Sequence, residues 1–365
     1  MFGLLPAKYY IDVYLLIVTI LTFVVIKPYP TYDIERVGTP RKENPFWTVL
    51  LTIFIVLFIG FRPVNGIFMD MGGYAMMWDS YYFDGFNIDE QNFLFDNLRY
   101  FMSSAGFSYT DFFVLIALIY FGCMSWACCE LFPNDRLIAF LVCLAAFSTF
   151  SYGTNGIKAG AAASIFLVAF AMYDKGKLLL SLLFLVISLG FHHSMILPIA
   201  SFLVCLFVKK PRVYQLFWII CFFIALFHIK YFQTLFAGFI DDHSAEYLLG
   251  EELRHEVFGG FRIDFILYSA VPIFLGWWVE KNNIVKSERY SFILNLYTLI
   301  NAMWLLCMYA SYTNRIAYLS WFLYPIVLIY PLLKMPIVSN QYRIFKTVVI
   351  AHLCFTLFIE FIYYA

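Results

Sequence analysis

Charge is scarce in this chain. Asp, Glu, Lys and Arg supply 13% of its 365 residues, against about 25% in a soluble globular domain. The apolar share is 63% and the mean hydropathy is +0.79. A single core cannot absorb that excess, because apolar runs recur from one end to the other. A strict polar–apolar alternation is also missing, which excludes a membrane barrel. The long polar loops hold none of the eight cysteines, which excludes a disulfide framework and leaves them as small apolar packing residues. The first apolar run, 9–26, has neither a basic leader nor an Ala-x-Ala site, so it is expected to stay as a spanning helix. No P-loop, Gly-x-Ser-x-Gly, His-Glu-x-x-His or dinucleotide fingerprint occurs, which argues against ATP-driven transport and the familiar soluble catalytic folds. Basic and acidic residues balance at 24 each, and no nucleic-acid partner is expected.

What is present is a series of runs of spanning length, about 17–25 residues for a helix. They lie at 9–26, 46–61, 110–129, 137–150, 159–173, 178–191, 194–208, 213–229, 263–280, 290–309, 316–333 and 347–365. The expected fold is an all-α polytopic integral membrane protein with about twelve spans, between ten and fourteen. Runs four to seven are short and could be kinked, broken or re-entrant. Most Lys and Arg fall in one alternating set of loops, with the tightest clusters at 174–177 and 209–212. That face is expected to be cytoplasmic, with both termini on the other side. The chain reads as one transmembrane domain, 1–365, with two long outer-face segments. In the first, 62–108, Tyr74, Met77, Trp78, Tyr81 and Tyr82 fall at helical spacing, as do Phe93 or Leu94, Leu98, Phe101, Met102 and Ala105. Such amphipathic pieces either lie in the headgroup plane or roof a cavity. The second, 230–262, is acidic, with Asp241, Asp242, Glu246, Glu251, Glu252 and Glu256.

The outer face also carries cations that the positive-inside bias disfavours. Arg62 ends span two, Lys158 precedes a small-residue run, Arg262 precedes span nine and Arg315 begins span eleven. Burying a cation at mid-membrane costs about 2.5–3.5 kcal/mol on insertion scales, and less near the edge. An anionic ligand offsets that cost, and phosphate suits an Arg fork. The bland alternative is snorkelling to headgroups. His192 and His193 sit at an outer turn and could titrate near neutrality or serve structural hydrogen bonds. Asp70 is a candidate base or sugar ligand, or simply a helix N-terminal acid. Asp241 and Asp242 resemble a metal pair only weakly, since no third ligand has matching spacing. Gly156 and Gly160 form a small-xxx-small pattern that suits close helix packing or the approach of a ligand to the backbone.

These residues carry a family resemblance. Phe61-Arg62, Asn65-Gly66 and Asp70 followed by Tyr74 resemble the early signature of the EpsG-like family, with the acidic element spaced two residues wider than usual. Asn155-Gly-Ile-Lys158-Ala-Gly resembles its Gly-Ile-Arg-Gln-Gly segment, with Lys158 a point charge where a guanidinium fork is usual. Phe191-His192-His193-Ser194 matches its Phe-His-x-Ser turn, and Arg315-Ile-Ala-Tyr318 its late Arg-Ile-x-x-Tyr element. The four motifs occur in order and cover most of the chain.

The resemblance implies a Wzy-type polymerase of surface polysaccharide (O-antigen, capsule or exopolysaccharide) with a GT-C-like membrane fold in the bacterial cytoplasmic membrane. The implied substrate is an undecaprenyl-pyrophosphate-linked oligosaccharide, with a flippase and a chain-length regulator as further partners besides the bilayer. No metal or other cofactor is expected. The catalytic candidates are His192 and Asp70 as base and Arg262 and Arg315 for the leaving diphosphate. Arg62, Lys158, Tyr74, Trp78, His193 and Tyr318 are substrate-binding candidates, with Trp78 and Tyr81 expected to stack on sugars. The rival classes are a lipid-linked oligosaccharide flippase, a glycan-modifying membrane acyltransferase and a structural membrane subunit.

Overall fold

Apolar runs become helices because a backbone in hydrocarbon must satisfy its own hydrogen bonds. A computed structural model describes residues 5–29, 43–229, 231, 260–282, 287–310 and 313–363, and no strand occurs among them. In chain order the helices are α1 (Tyr10–Ile26), α2 (Pro45–Gly60), α3 (Asp70–Met76), α4 (Phe93–Ser104), α5 (Tyr109–Leu131), α6 (Arg136–Leu144), α7 (Phe147–Thr154), α8 (Ile157–Asp174), α9 (Leu178–Phe191), α10 (Ile196–Phe207), α11 (Pro211–Leu226), α12 (Ile263–Asn282), α13 (Glu288–Leu306), α14 (Thr313–Trp321), α15 (Tyr324–Lys334) and α16 (Gln341–Phe358). Six stretches among the described residues are long and apolar enough to cross a membrane: 7–26, 109–131, 157–174, 263–282, 313–334 and 341–363. Counting the bent pair α6–α7 as one span gives seven. Four more apolar helices, α2, α9, α10 with its preceding turn, and α11, are shorter. The protein is therefore a polytopic, all-helical membrane protein. By length and composition, six or seven of the twelve expected spans qualify. The acidic run Asp241, Asp242, Glu246, Glu251, Glu252 and Glu256 lies outside the described residues.

The chain divides into two compact units. The first comprises residues 1–193, 332–334 and 338–365, and the second residues 194–331 and 335–337. In the first unit α5 packs on α2 and on α8, and α8 packs on α9. Small residues let α8 sit in the middle. A Cβ on Gly160 would come within 2.4 Å of the Tyr152 carbonyl oxygen, and one on Gly156 within 2.9 Å of the Tyr152 ring. Of the two readings of this Gly pair, close packing is what the geometry displays. The Ser188 hydroxyl donates to the Ala162 carbonyl at 2.7 Å, tying α9 to α8.

The break between α6 and α7, a bend of 74°, would leave the last carbonyls of α6 without intrahelical partners. Each is supplied by a side chain. His352 Nε2 donates to Val142 O at 3.1 Å, Thr149 Oγ1 to Cys143 O at 2.7 Å, Tyr14 OH to Leu144 O at 2.7 Å and Thr356 Oγ1 to Ala145 O at 2.6 Å. The donors come from α1, α7 and α16, so a discontinuous helix is held by its surroundings. Thr356→Val keeps the shape and removes one donor. It is expected to lower stability by about 1 kcal/mol, measured by thermal unfolding in detergent; an unchanged midpoint would show that the bend does not need this bond.

In the second unit α10 and α11 pack against α13. Buried indoles are satisfied by polar side chains, as indole N–H groups require when enclosed. Trp218 donates to Asn301 at 2.8 Å, Trp304 to the Thr313 hydroxyl at 2.8 Å and Trp321 to the Ser269 hydroxyl at 2.7 Å. Asn301 in turn donates to Ser320 at 3.2 Å.

Candidate functional site

The segment expected on the outer face, in the first unit, is built from α3, a short 3-10 turn (Tyr81–Phe83) and α4, ahead of α5. Ser108 starts α5 with a capping box, its hydroxyl accepting from Asp111 N while Asp111 accepts from Ser108 N, which fixes where the segment ends. The expected helical stretch from Tyr74 to Tyr82 is interrupted after Met76. Trp78 is 5% exposed and its indole donates to Phe107 O at 2.8 Å, while Ser103 donates to Trp78 O. Trp78 thus latches α4 to the preceding turn from inside. Tyr81 is also buried, its ring 3.8 Å from the Arg99 guanidinium. The rings expected to stack on sugars therefore brace the segment internally.

α4 turns a different face inward from the one its apolar spacing suggested. It buries Phe95, Asp96 and Asn97 and leaves Phe101 exposed. Leu94 abuts Gly190 of α9 so closely that a Cβ there would meet it at 2.7 Å. A buried carboxylate needs partners, and Asp96 has two. Its Oδ1 lies 3.1 Å from Lys158 Nζ and 3.4 Å from Arg99 Nη1. Arg99 Nη2 reaches Asp84 Oδ2 at 3.2 Å. Asn97 accepts from Asn87 N and donates to Asn87 O, which holds the loop that carries Asp84. Tyr74 stands beside Phe95 and Phe112, and burial, with the Asp70 and Asp96 carboxylates adding to it, pushes its phenol well up. It stays protonated and able to donate. Lys158, Tyr74 and the sequence-silent Asp96, Arg99 and Asp84 are thus one group.

The remaining candidates of this unit lie around it. Asp70 is the exposed first residue of α3, an N-terminal position in that short helix. His192 ends α9, with its amide donating to Ser188 O. The His192 and His193 rings stack at 5.3 Å, and His193 N donates to Asn92 Oδ1 at the start of α4 at 3.1 Å. Arg62 is 4% exposed. Its guanidinium donates to Ile59 O at 2.8 Å and Thr154 O at 2.9 Å, the terminal carbonyls of α2 and α7. It lies over Phe68 and Phe113, and burial pushes its pKa down to about 10, so it keeps its charge at neutral pH. The negative ends of two helices take the place of a carboxylate.

In the second unit Arg262 grips Asp264 with both prongs, Nε to Oδ1 at 3.0 Å and Nη2 to Oδ2 at 2.6 Å, with its guanidinium 3.6 Å from the Phe265 ring. Arg315 is the exposed third residue of α14. Tyr318, one turn on, is 1% exposed beside Phe322, so its ring belongs to the core. Neither Asp264 nor Asp96 was singled out from sequence. For Asp264 the signal was there, an acid two residues after Arg262.

Compared with known proteins, the chain matches the family model of the EpsG family over residues 46–365, a family of polysaccharide polymerase-like membrane proteins. No curated protein and no solved structure matches it.

Proposed function

Since the chain belongs to the EpsG family, we propose that it is a Wzy-type glycosyltransferase that joins lipid-linked oligosaccharide repeat units on the outer face of the cytoplasmic membrane. The observation that carries the reading is that the family match, 46–365, runs through every motif position from Arg62 to Tyr318. In the reaction an acceptor hydroxyl attacks the anomeric carbon of a donor glycan on undecaprenyl pyrophosphate. The new glycosidic C–O bond forms as the sugar–phosphate C–O bond breaks. The lipid diphosphate leaves with the electron pair, and the hydroxyl proton passes to a base.

Arg315 supplies preorganised positive charge for the leaving diphosphate, whose charge grows in the transition state, and Arg262, whose prongs are held by Asp264, takes part only if the diphosphate displaces that carboxylate. His192, with Asp70 second, takes the proton, a role worth about 10²–10⁴ in rate. The diphosphate is already a good leaving group, so acid catalysis is less needed. The test is purified protein in liposomes given lipid-linked repeat units alone. Growth of polymer on the lipid is expected. Translocation of single units without growth would replace the polymerase by a flippase, and neither activity would refute both.

A further inference from the structure

We propose that the ion-paired cluster of the outer-face segment is a subsite for uncharged sugar hydroxyls of the repeat unit, formed by Asp84, Arg99, Asp96 and Lys158 with Tyr82 and Phe83. It rests on the polymerase reading and changes the part of the substrate that Lys158 is expected to meet. Lys158 was expected beside the diphosphate. Its ammonium is instead engaged by Asp96 at 3.1 Å, and Arg99 is shared between Asp96 and Asp84. Two carboxylates cancel two cations, and Asp70 near Tyr74 adds a further negative charge. A diphosphate brought here would meet carboxylates directly beside each cation. A polyol meets donors and acceptors side by side, which is how its hydroxyls are satisfied.

The cluster is reachable. Lys158 keeps 24% of its side chain exposed and Asp84 47%. Exposed aromatic faces, expected on Trp78 and Tyr81, are present on the two residues that follow Tyr81. Phe83 is 82% exposed and Tyr82 57%, and they directly precede Asp84. Exposed acids, Asp79, Asp89 and Glu90, flank these rings in the chain, which disfavours immersion of the segment in a bilayer with anionic headgroups and favours a neutral, water-borne ligand. The loop is held in place by the Asn87–Asn97 hydrogen bonds. The subsite is therefore presented on a fixed frame.

The probe is the free oligosaccharide released by mild acid from the host's own lipid-linked repeat unit, with inorganic pyrophosphate as the second ligand. Binding is measured on the full chain in detergent by calorimetry, which requires no polymerisation. Phe83→Ala changes a surface residue and serves as the variant that cannot fail through folding. It is expected to weaken oligosaccharide binding severalfold. Asp96→Asn and Lys158→Gln, which remove charge at nearly constant shape, are each expected to weaken it about tenfold, with pyrophosphate binding unchanged. Wild-type oligosaccharide affinity in Phe83→Ala and Lys158→Gln together overturns the subsite, as does loss of pyrophosphate binding in Lys158→Gln with glycan binding intact. Wild-type protein that binds the oligosaccharide but makes no polymer leaves the subsite standing and sinks the polymerase. Polymer from wild-type protein with the variants' glycan affinity unchanged does the reverse.

Discussion

Arg315→Ala in a polymerase-deficient host is expected to leave single repeat units on their lipid carrier while the protein accumulates at its normal level. The side chain is exposed at the third position of a nine-residue helix, and the protein level in the same membranes reports any cost to the fold. What is lost is a planar fork of donors suited to phosphate oxygens. Removing one preorganised donor from a developing oxyanion costs on the order of 10²–10³ in rate, enough to turn a ladder of polymer into its first rung on a gel. Arg315→Lys keeps the charge without the fork and should fall between the two. Arg262 should respond less cleanly. Asp264 already occupies both its prongs, and truncating it also strands a carboxylate. Full-length polymer from Arg315→Ala would remove this residue from the reaction.

The helices were legible in the sequence because spanning runs are a crude, strong signal, and every described apolar run is helical. The break at residues 145 and 146 falls in run four, whose shortness marks it as one that could be broken, but what holds the break is not legible. Its stability comes from Tyr14, His352 and Thr356, which lie more than a hundred positions away in the chain, and no local pattern announces a distant donor. Lys158 stands out in the sequence as an outer cation and Tyr74 by its helical spacing, and both recur in the family motifs, yet their shared partner does not stand out. Asp96 sits in a segment whose apolar spacing pointed to Leu98 and Phe101 as the buried stripe. The structure buries Phe95, Asp96 and Asn97 instead, because two cations and a loop of hydrogen bonds compensate the polar groups. A polar residue that is buried because of its partners is invisible to any periodicity argument. Trp78 is the opposite case. From sequence its ring reads as a sugar platform or as an interfacial anchor, and its burial and its bond to Phe107 O are set by partners that the helical spacing does not announce.

Arg62 is where these two kinds of evidence meet, and its substitution is expected to damage the fold before it damages the chemistry. Its motif position suggests a phosphate ligand. Its contacts are two carbonyls at the ends of α2 and α7, in a site where the residue is 4% exposed. Arg62→Ala would remove the charged donor from both carbonyls, leaving Ile59 O with only backbone N–H donors and Thr154 O without its guanidinium, and would open a gap between Phe68 and Phe113. Hydrogen bonds to a charged group contribute about 1.5–3 kcal/mol each, so a loss of about 3–5 kcal/mol follows, comparable to the whole margin of a modest domain. The expected result is a steep fall in membrane-inserted protein and a lowered unfolding midpoint in detergent. Arg62→Lys has a charge and one short reach in place of two, and should recover about half of the loss. The polymer made per molecule of surviving Arg62→Lys protein is the deciding measurement. If it matches wild type, the guanidinium is a staple between two helix ends. If Arg62→Ala accumulates normally and only polymer disappears, the carbonyl contacts describe a resting position and Arg62 is a ligand of the substrate.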